Sequence, residues 1–425
     1  MQLIEPAILK GTRDFGPEEM SRRLFIIGSL RSIFQRFGYQ PLETPAIEYA
    51  QTILGKYGDE GNKLTYHFKD QGDRHIALRY DQTVPTARFV AANWPSLTFP
   101  FKRYQIGPVW RADKPQKGRY REFVQCDIDI IGTDSLLADA EIAHVMYSVF
   151  SELEFEQFVI RVNSRELLDS LLELCKIKKS DRLAVIRHLD KLDKVSVAAV
   201  KADLLAFLDK KQAALIEEHI MAEDVRNDLA SLPANSASEK MSRLFEHFKM
   251  MGIDDRSIKL DLTLARGLDY YTGVIYEVII PNSGLGSLCG GGRYDNLTGL
   301  FTDKKFPGTG VAFGLDRMMV WLTEHGKLAD VKASSTVLVA HFGDRLEHNI
   351  KTLEAMHQAG VSAELFLEPA KLQKQFKYAD RKHIPWMILQ GDQEVKEGKV
   401  QLRNMTSGEQ ELLLIEDTFK KIRPA

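Results

Sequence analysis

Between Arg103 and Gly132 the chain reads RYQIGPVWRADKPQKGRYREFVQCDIDIIG, a run whose residue types could hold a phosphorylated ligand. Arg111, Lys114, Lys117, Arg119 and Arg121 set cations against Asp113 and Glu122 around Pro115, Gln116 and Gly118, where turn residues interrupt a strand pattern. The return run from Glu122 puts Phe123, Gln125, Asp127 and Asp129 on one face at period two, and Val124, Cys126, Ile128 and Ile130 on the other. The apolar face would anchor the strand. A solvated hairpin needs no pair of inward carboxylates in register with a carboxamide and an aromatic ring, whereas a pocket for a cationic or hydrogen-bonding ligand does.

Four further segments carry chemistry. Residues 77–83, ALRYDQT, set Asp81 and Thr83 two apart, suited to gripping an amino group from one side. Residues 265–271, ARGLDYY, join Arg266 to a pair of tyrosines ending at Tyr271. Residues 290–295, GGGRYD, place three glycines before Tyr294, where bare backbone could approach a ligand closely. Residues 310–317, GVAFGLDR, set Arg317 at the start of an apolar helix. Taken singly, each is more simply a turn glycine, a core tyrosine or a solvated arginine. Their joint occurrence argues for one site.

The elements that must position these residues follow from periodicity. Apolar residues recur at helical spacing from Glu18 to Phe37, and Gly38 follows where a C-terminal cap belongs. Tyr39 to Ile47 is then extended but interrupted by Pro41 and Pro45, as at a sheet edge or a subunit boundary. Short alternating runs at Thr65–Phe68 and Ile76–Tyr80, with the basic hairpin, predict an antiparallel sheet flanked by helices. From Glu166 to Arg256 the pattern is nearly unbroken helix with one connector at Ser231–Ser236, which predicts a helical insertion. Strand character at Ile258–Leu262 and Gly273–Ile280 would complete the interrupted sheet. Residues 1–330 are therefore expected to form one domain interrupted by 166–256. Beyond it, strand and helix alternate from Thr336 to Leu389, predicting a small α/β domain over 333–425 with a largely parallel sheet.

A length of 425 residues exceeds what one core ordinarily fills. With 44% hydrophobic and 27% charged residues and no apolar run near twenty, no membrane span is expected, and the N-terminus lacks a signal-peptide pattern. A cytoplasmic location is the expectation. Cys126, Cys175 and Cys289 form no C-x-x-C pair, so neither a disulfide framework nor a protein metal site is predicted, and all three are expected as buried thiols. The net charge of −2 means that any nucleic-acid partner must be held by local basic patches. From Thr336 onward the charges balance at 13 basic against 13 acidic, so composition alone does not make that tail an RNA binder.

Together the segments resemble the three motifs of class II aminoacyl-tRNA synthetases, and RGLDYY, GGGRYD and KGTRDF (Lys10–Phe15) are similar to the histidyl-tRNA synthetase family in particular. The resemblance covers nearly the whole chain. It aligns motif 1 with the first helix and its proline-containing strand, motif 2 with Arg103–Gly132, and motif 3 with Gly310–Leu322. It implies an α+β fold: a class II catalytic domain with an antiparallel sheet flanked by helices, a helical insertion, and a C-terminal α/β anticodon-binding domain. The implied activity joins L-histidine to ATP, with Mg²⁺, as histidyl-adenylate, and then transfers the histidyl group to histidine tRNA; the implied assembly is a homodimer. By matching motif, Arg111 would bind the α-phosphate, Arg119 would join it in the ATP site, and Phe123 and Arg317 would sandwich adenine. Asp81, Thr83 and Gln125 would hold the α-amino group, while Asp129, Tyr271 and Tyr294 would read the imidazole. Arg266 would stabilise charge developing at the α-phosphorus. The chain departs from many bacterial members in reading LRYDQT over 78–83 where they read an LRPEGT-type sequence, and Gln82 replaces the leucine usual in the eukaryotic-like branch. Lys114 stands where some members carry an arginine that helps read the tRNA. A rival, similar to the histidine-sensing regulatory subunit of ATP phosphoribosyltransferase, generally lacks both the tail and an intact RGLDYY segment; both are present here.

Overall fold

The computed structural model describes residues 3–56, 58–116, 118–193, 195–222, 225–265, 271–331 and 335–422. They divide into two compact units, 1–14 with 23–327, and 15–22 with 328–425.

The first unit is built on an eight-stranded sheet. Its strands are β1 (Gln40–Pro41), β5 (Phe101–Trp110), β6 (Glu122–Ile131), β7 (Val159–Ser164), β8 (Ile258–Leu260), β9 (Val274–Ile279), β10 (Cys289–Arg293) and β11 (Gly308–Gly314). A separate three-stranded sheet comprises β2 (Ile47–Tyr49), β3 (His67–Lys69) and β4 (His75–Leu78). The large sheet runs β1-β5-β6-β11-β10-β9-β7-β8, antiparallel except at its two outermost pairs. Pro41 therefore lies on an edge strand, where a missing N–H breaks no central ladder. In register, Arg103 faces Asp129 and Gln105 faces Asp127 across β5 and β6, while Gly310 and Ala312 of β11 face the same two aspartates from the other side.

One face of this sheet is apolar and covered by helices. The helix Pro17–Arg36 buries Ile26, Leu30, Ile33 and Phe34, and the Phe34 ring lies 5.8 Å from Tyr104 and 5.6 Å from Phe313. The helix Leu136–Glu152 adds Phe150, 6.1 Å from Phe313. Arg293 anchors this helix to β10 through a buried ion pair with Asp139 at 2.8 Å. The arginine of the GGGRYD segment is thus used on the helix-covered side.

The segment between β7 and β8 is helical, but it breaks more often than one connector at 231–236 allows. Its α-helices are Arg165–Leu174, Lys179–Leu189, Val197–Leu204, Lys210–Ile216 and Ser236–Met250. The breaks follow capping chemistry: Ser196, Asp209 and Asn235 each accept a backbone N–H from the first turn of the next helix.

The second unit carries a five-stranded sheet, β13-β12-β14-β15-β16, with strands β12 (Val337–Val339), β13 (Ala363–Leu365), β14 (Trp386–Leu389), β15 (Lys399–Asn404) and β16 (Gln410–Leu414). The first three are parallel, as strand-helix alternation predicts, but β15 and β16 are antiparallel. A largely parallel sheet is therefore corrected to a mixed one. The cause lies in turn chemistry: Gly398 adopts φ +66° after the short helix Asp392–Glu397, and Asn404 Oδ1 accepts the N–H groups of Thr406 and Ser407 to close a hairpin.

Candidate active site

The other face of the large sheet is polar, and a cavity of about 420 Å³ opens over it. Phe123, Gln125, Asp127 and Asp129 of β6 all line it, as their period-two spacing requires. Asp81, Thr83, Arg111, Arg119, Tyr271, Tyr294 and Arg317 line the same cavity. The structure therefore gathers the residues singled out above except Arg266 and Lys117, which lie outside the described residues, and Lys114 and Arg121 of the hairpin, which do not line the cavity.

The floor is acidic and built on strands. Asp129 Oδ1 accepts the Tyr294 hydroxyl, and Arg103 Nη2 lies 2.5 Å from Oδ2, an ion pair whose approach misses hydrogen-bond alignment. Arg103 is fully buried. Burial raises the Asp129 carboxyl above the ordinary carboxylate range, while Arg103 and the Tyr294 hydrogen bond oppose that rise. Glycine makes the arrangement possible: a Cβ on Gly310 would overlap Asp129 Oδ1 and come 2.5 Å from the Ile128 carbonyl oxygen. Gly308 has the same relation to Tyr294, whose ring edge lies 2.6 Å from where its Cβ would be. In the triple glycine, Gly290 lines the cavity, but a Cβ on Gly291 would strike the β11 backbone and one on Gly292 the β9 backbone. Two of those three glycines thus serve close packing of strands, a correction to the expectation that all three admit a ligand.

Asp81 stands at the start of the helix Thr83–Asn93, where its Oδ1 accepts the N–H groups of Thr83 and Val84, both at 3.1 Å. That leaves Thr83 and the carboxylate side by side at the helix start, a geometry that follows from the two-residue spacing. Gln82, the departure noted above, is buried and donates from Nε2 to the Gly107 carbonyl at 3.0 Å, fastening this segment to β5.

The mouth is basic and built from turns and side chains. Arg111 donates to the Tyr80 carbonyl at 3.0 Å and stacks 4.2 Å above the Tyr80 ring, with Phe123 5.3 Å away. Arg119 pairs with Asp113 at 2.7 Å. Arg317, in the first turn of the helix Leu315–Glu324, donates to the Ser287 carbonyl at 2.5 Å and to that of Gly118 at 3.3 Å. One arginine thereby ties the turn of the basic hairpin to the residues just before β10. The N-terminal KGTRDF run reinforces this: Arg13 stacks 3.3 Å above the Tyr120 ring and pairs with Asp316 at 2.5 Å, while the Arg121 N–H donates to the Gly11 carbonyl.

Sequence reasoning assigned no task to Arg103, Asp316 or Arg13. For Arg103 a signal existed, since Arg103 and Gln105 alternate at period two with apolar neighbours, as β6 does. For Arg13 none did, because its partner is 303 residues away.

A strand-built acidic floor faces an arginine-rich mouth, on a fold shared with solved synthetases. Histidyl-tRNA synthetase from Nostoc sp. PCC 7120 superposes with a TM-score of 0.89 at 30% identity, covering 99% of both chains. The family model described as histidyl-tRNA synthetase matches residues 11–318, and an anticodon-binding-domain model matches 336–424. Curated relatives called histidine–tRNA ligase include one from Cytophaga hutchinsonii, 39% identical over 98% of this chain and 99% of its own, and one from Clostridium tetani, 38% identical over 100% and 99%. This chain belongs to the histidyl-tRNA synthetase family.

Proposed function

We propose that the chain is a histidine–tRNA ligase: it joins L-histidine and ATP into histidyl-adenylate, releasing pyrophosphate, and then transfers the histidyl group to the 3′ end of histidine tRNA. The observation that carries this reading is the single cavity with carboxylates on its floor and arginines at its mouth. A cationic amino acid suits the first and a triphosphate the second.

In this reading the histidine carboxylate attacks the α-phosphorus in line and pyrophosphate leaves, so the protein chiefly orients both reactants and stabilises charge. Arg111 would hold the α-phosphate, with Arg119 beside it, and Phe123 and Arg317 would bracket adenine. Asp81, Thr83 and Gln125 would take the α-amino group; Asp129, Tyr271 and Tyr294 would take the imidazole. Arg266 would meet the developing charge. Mg²⁺ would enter on the ATP phosphates, where it neutralises their charge. Among the described residues no cluster of three or more His, Cys, Asp or Glu could hold a metal, so the chain's own groups toward the phosphates are arginines.

Residues 1–330, interrupted by 166–256, would form the catalytic domain and 333–425 the anticodon-binding domain; the two family-model matches support that division. A homodimer is supported by apolar side chains left exposed on the first helix and β2, among them Leu24, Phe25, Ile47 and Tyr49. A cytoplasmic location is supported by three buried cysteines with no disulfide. No described helix is long and apolar enough to cross a membrane.

The test is ATP–pyrophosphate exchange with each standard amino acid in turn, without tRNA. Exchange with histidine alone is expected. Exchange with another amino acid would overturn the imidazole assignment, and a folded protein that binds histidine without exchange would be a histidine sensor.

A further inference from the structure

Asp127 has no task in the reading above, yet it lies midway between Gln125 and Asp129 on the cavity face of β6. It is only 2% exposed, and its Oδ1 has no hydrogen-bond partner among the described residues. A buried carboxylate oxygen left unpaired is costly, and a native site retains one chiefly where something else completes it. Gln125 Oε1 beside it is likewise unpaired, whereas Asp129 is engaged by Tyr294 and Arg103, and Asp81 Oδ1 by two backbone amides. The charged and titratable groups around Asp127 are Arg103 from β5, Asp129 and Cys126 from its own strand, Arg79 and Asp81 from the segment after β4, Arg111 from the hairpin, and Cys289 from β10. Of the arginines around this floor, Arg103 is held against Asp129, Arg79 by the Thr44 and Pro108 carbonyls and Arg111 by that of Tyr80. Asp127 Oδ1 is left for a donor that a ligand would bring.

We infer that Asp127 is a substrate-binding residue whose carboxylate receives the ammonium group of the amino acid, which gives its unpaired oxygen a donor when the site fills. The inference rests on the reading of this cavity as an amino-acid-activating site. Burial raises the Asp127 carboxyl well above its ordinary range in the free protein, Arg103 opposing, and an arriving ammonium would favour the ionised form. Selectivity follows. Ligands that keep the ammonium gain from Asp127, and ligands that lack it do not.

The experiment is calorimetric titration of the full chain and its Asp127→Asn variant with L-histidine, with histamine, which keeps the ammonium but lacks the carboxylate, and with 3-(imidazol-4-yl)propanoate, which lacks the ammonium. Asp127→Asn should weaken histidine and histamine by about tenfold or more, the effect of removing one charged hydrogen-bond partner, and leave the propanoate unchanged. Should the Asn variant show no native melting transition, Asp127→Ser removes the charge with a smaller polar group and is read by the same criteria. A folded variant that binds histidine within about twofold of the parent overturns the inference alone. Equal weakening of histidine and the propanoate overturns it too, since the carboxylate would then serve the ring. A parent chain that binds no histidine overturns the reading beneath it.

Discussion

The two large sheets of this chain solve opposite problems. In the five-stranded sheet the interior strand β12 reads Val337-Leu338-Val339, all three fully buried, so apolar side chains fill the space on both of its faces. In the eight-stranded sheet the interior strand β6 is buried from Gln125 to Ile131, but one face carries Gln125, Asp127 and Asp129. Hydrophobic burial alone accounts for the first. The second is held against a desolvation penalty that a purely structural strand would not carry. A polar face buried beneath a cavity marks where this molecule binds something.

The sharpest way to break that contrast is to remove the fully buried cation paired with Asp129. Arg103→Leu leaves Asp129 Oδ2 without its counter-charge and should lower unfolding stability by about 3–5 kcal/mol, as when one partner of a buried pair is lost. Denaturant unfolding of the full chain reads this directly; a loss within the ±0.5 kcal/mol or so typical of surface substitutions would show that the floor is solvated and the contrast false. The matching change in the other sheet is Leu338→Ala, expected to cost about 2–5 kcal/mol through a dry cavity. The two should differ in function: Arg103→Leu should impair histidine binding at temperatures where the protein is still folded, and Leu338→Ala should not.

That contrast also explains what was legible in the sequence. The period-two alternation of Phe123, Gln125, Asp127 and Asp129 could be read because a strand's two faces are written one residue apart. Parallel strands β12, β13 and β14 could be read from apolar runs alternating with helical ones, whereas the β15–β16 hairpin turns on Gly398 and Asn404, single residues in a polar stretch without periodicity. Helix breaks in the insertion were written as Ser196, Asp209 and Asn235, but such residues are common enough that each is informative only once a helix is seen to start after it. Contacts such as Arg13 with Asp316 depend on the tertiary path alone.

A smaller effect should follow from filling the space that the floor keeps empty. Gly310→Ala places a methyl group on Asp129 Oδ1 and against the Ile128 carbonyl, and the paired backbone has no room to withdraw. The carboxylate must shift. Histidine-dependent pyrophosphate exchange should fall about 100-fold, the scale of a displacement near 1 Å in a catalytic constellation, with about 1–3 kcal/mol of stability lost to overpacking. Activity within about threefold of the parent would mean that the position of Asp129 is not critical, and that the polar face tolerates the slack of a surface.

The smallest change tests the electrostatics of the floor without moving it. Tyr294→Phe keeps a ring packed with Ala77, Val84 and Leu297 but deletes the hydroxyl that Asp129 Oδ1 accepts. The KM for histidine should rise about tenfold, the order of one hydrogen bond to a charged group, while the KM for ATP stays put. The pH dependence carries the finer information. The Tyr294 hydrogen bond lowers the Asp129 carboxyl against the rise caused by burial, so its loss should raise that carboxyl further. An ionised Asp129 would then appear only at higher pH, and the variant's penalty in KM should be largest at low pH and shrink as pH rises. Titration of the substrate's own imidazole is common to both proteins, so the ratio of variant to parent isolates Asp129. A ratio independent of pH would mean that Tyr294 orients the carboxylate without tuning its charge, leaving Arg103 as the group that favours the ionised form of Asp129.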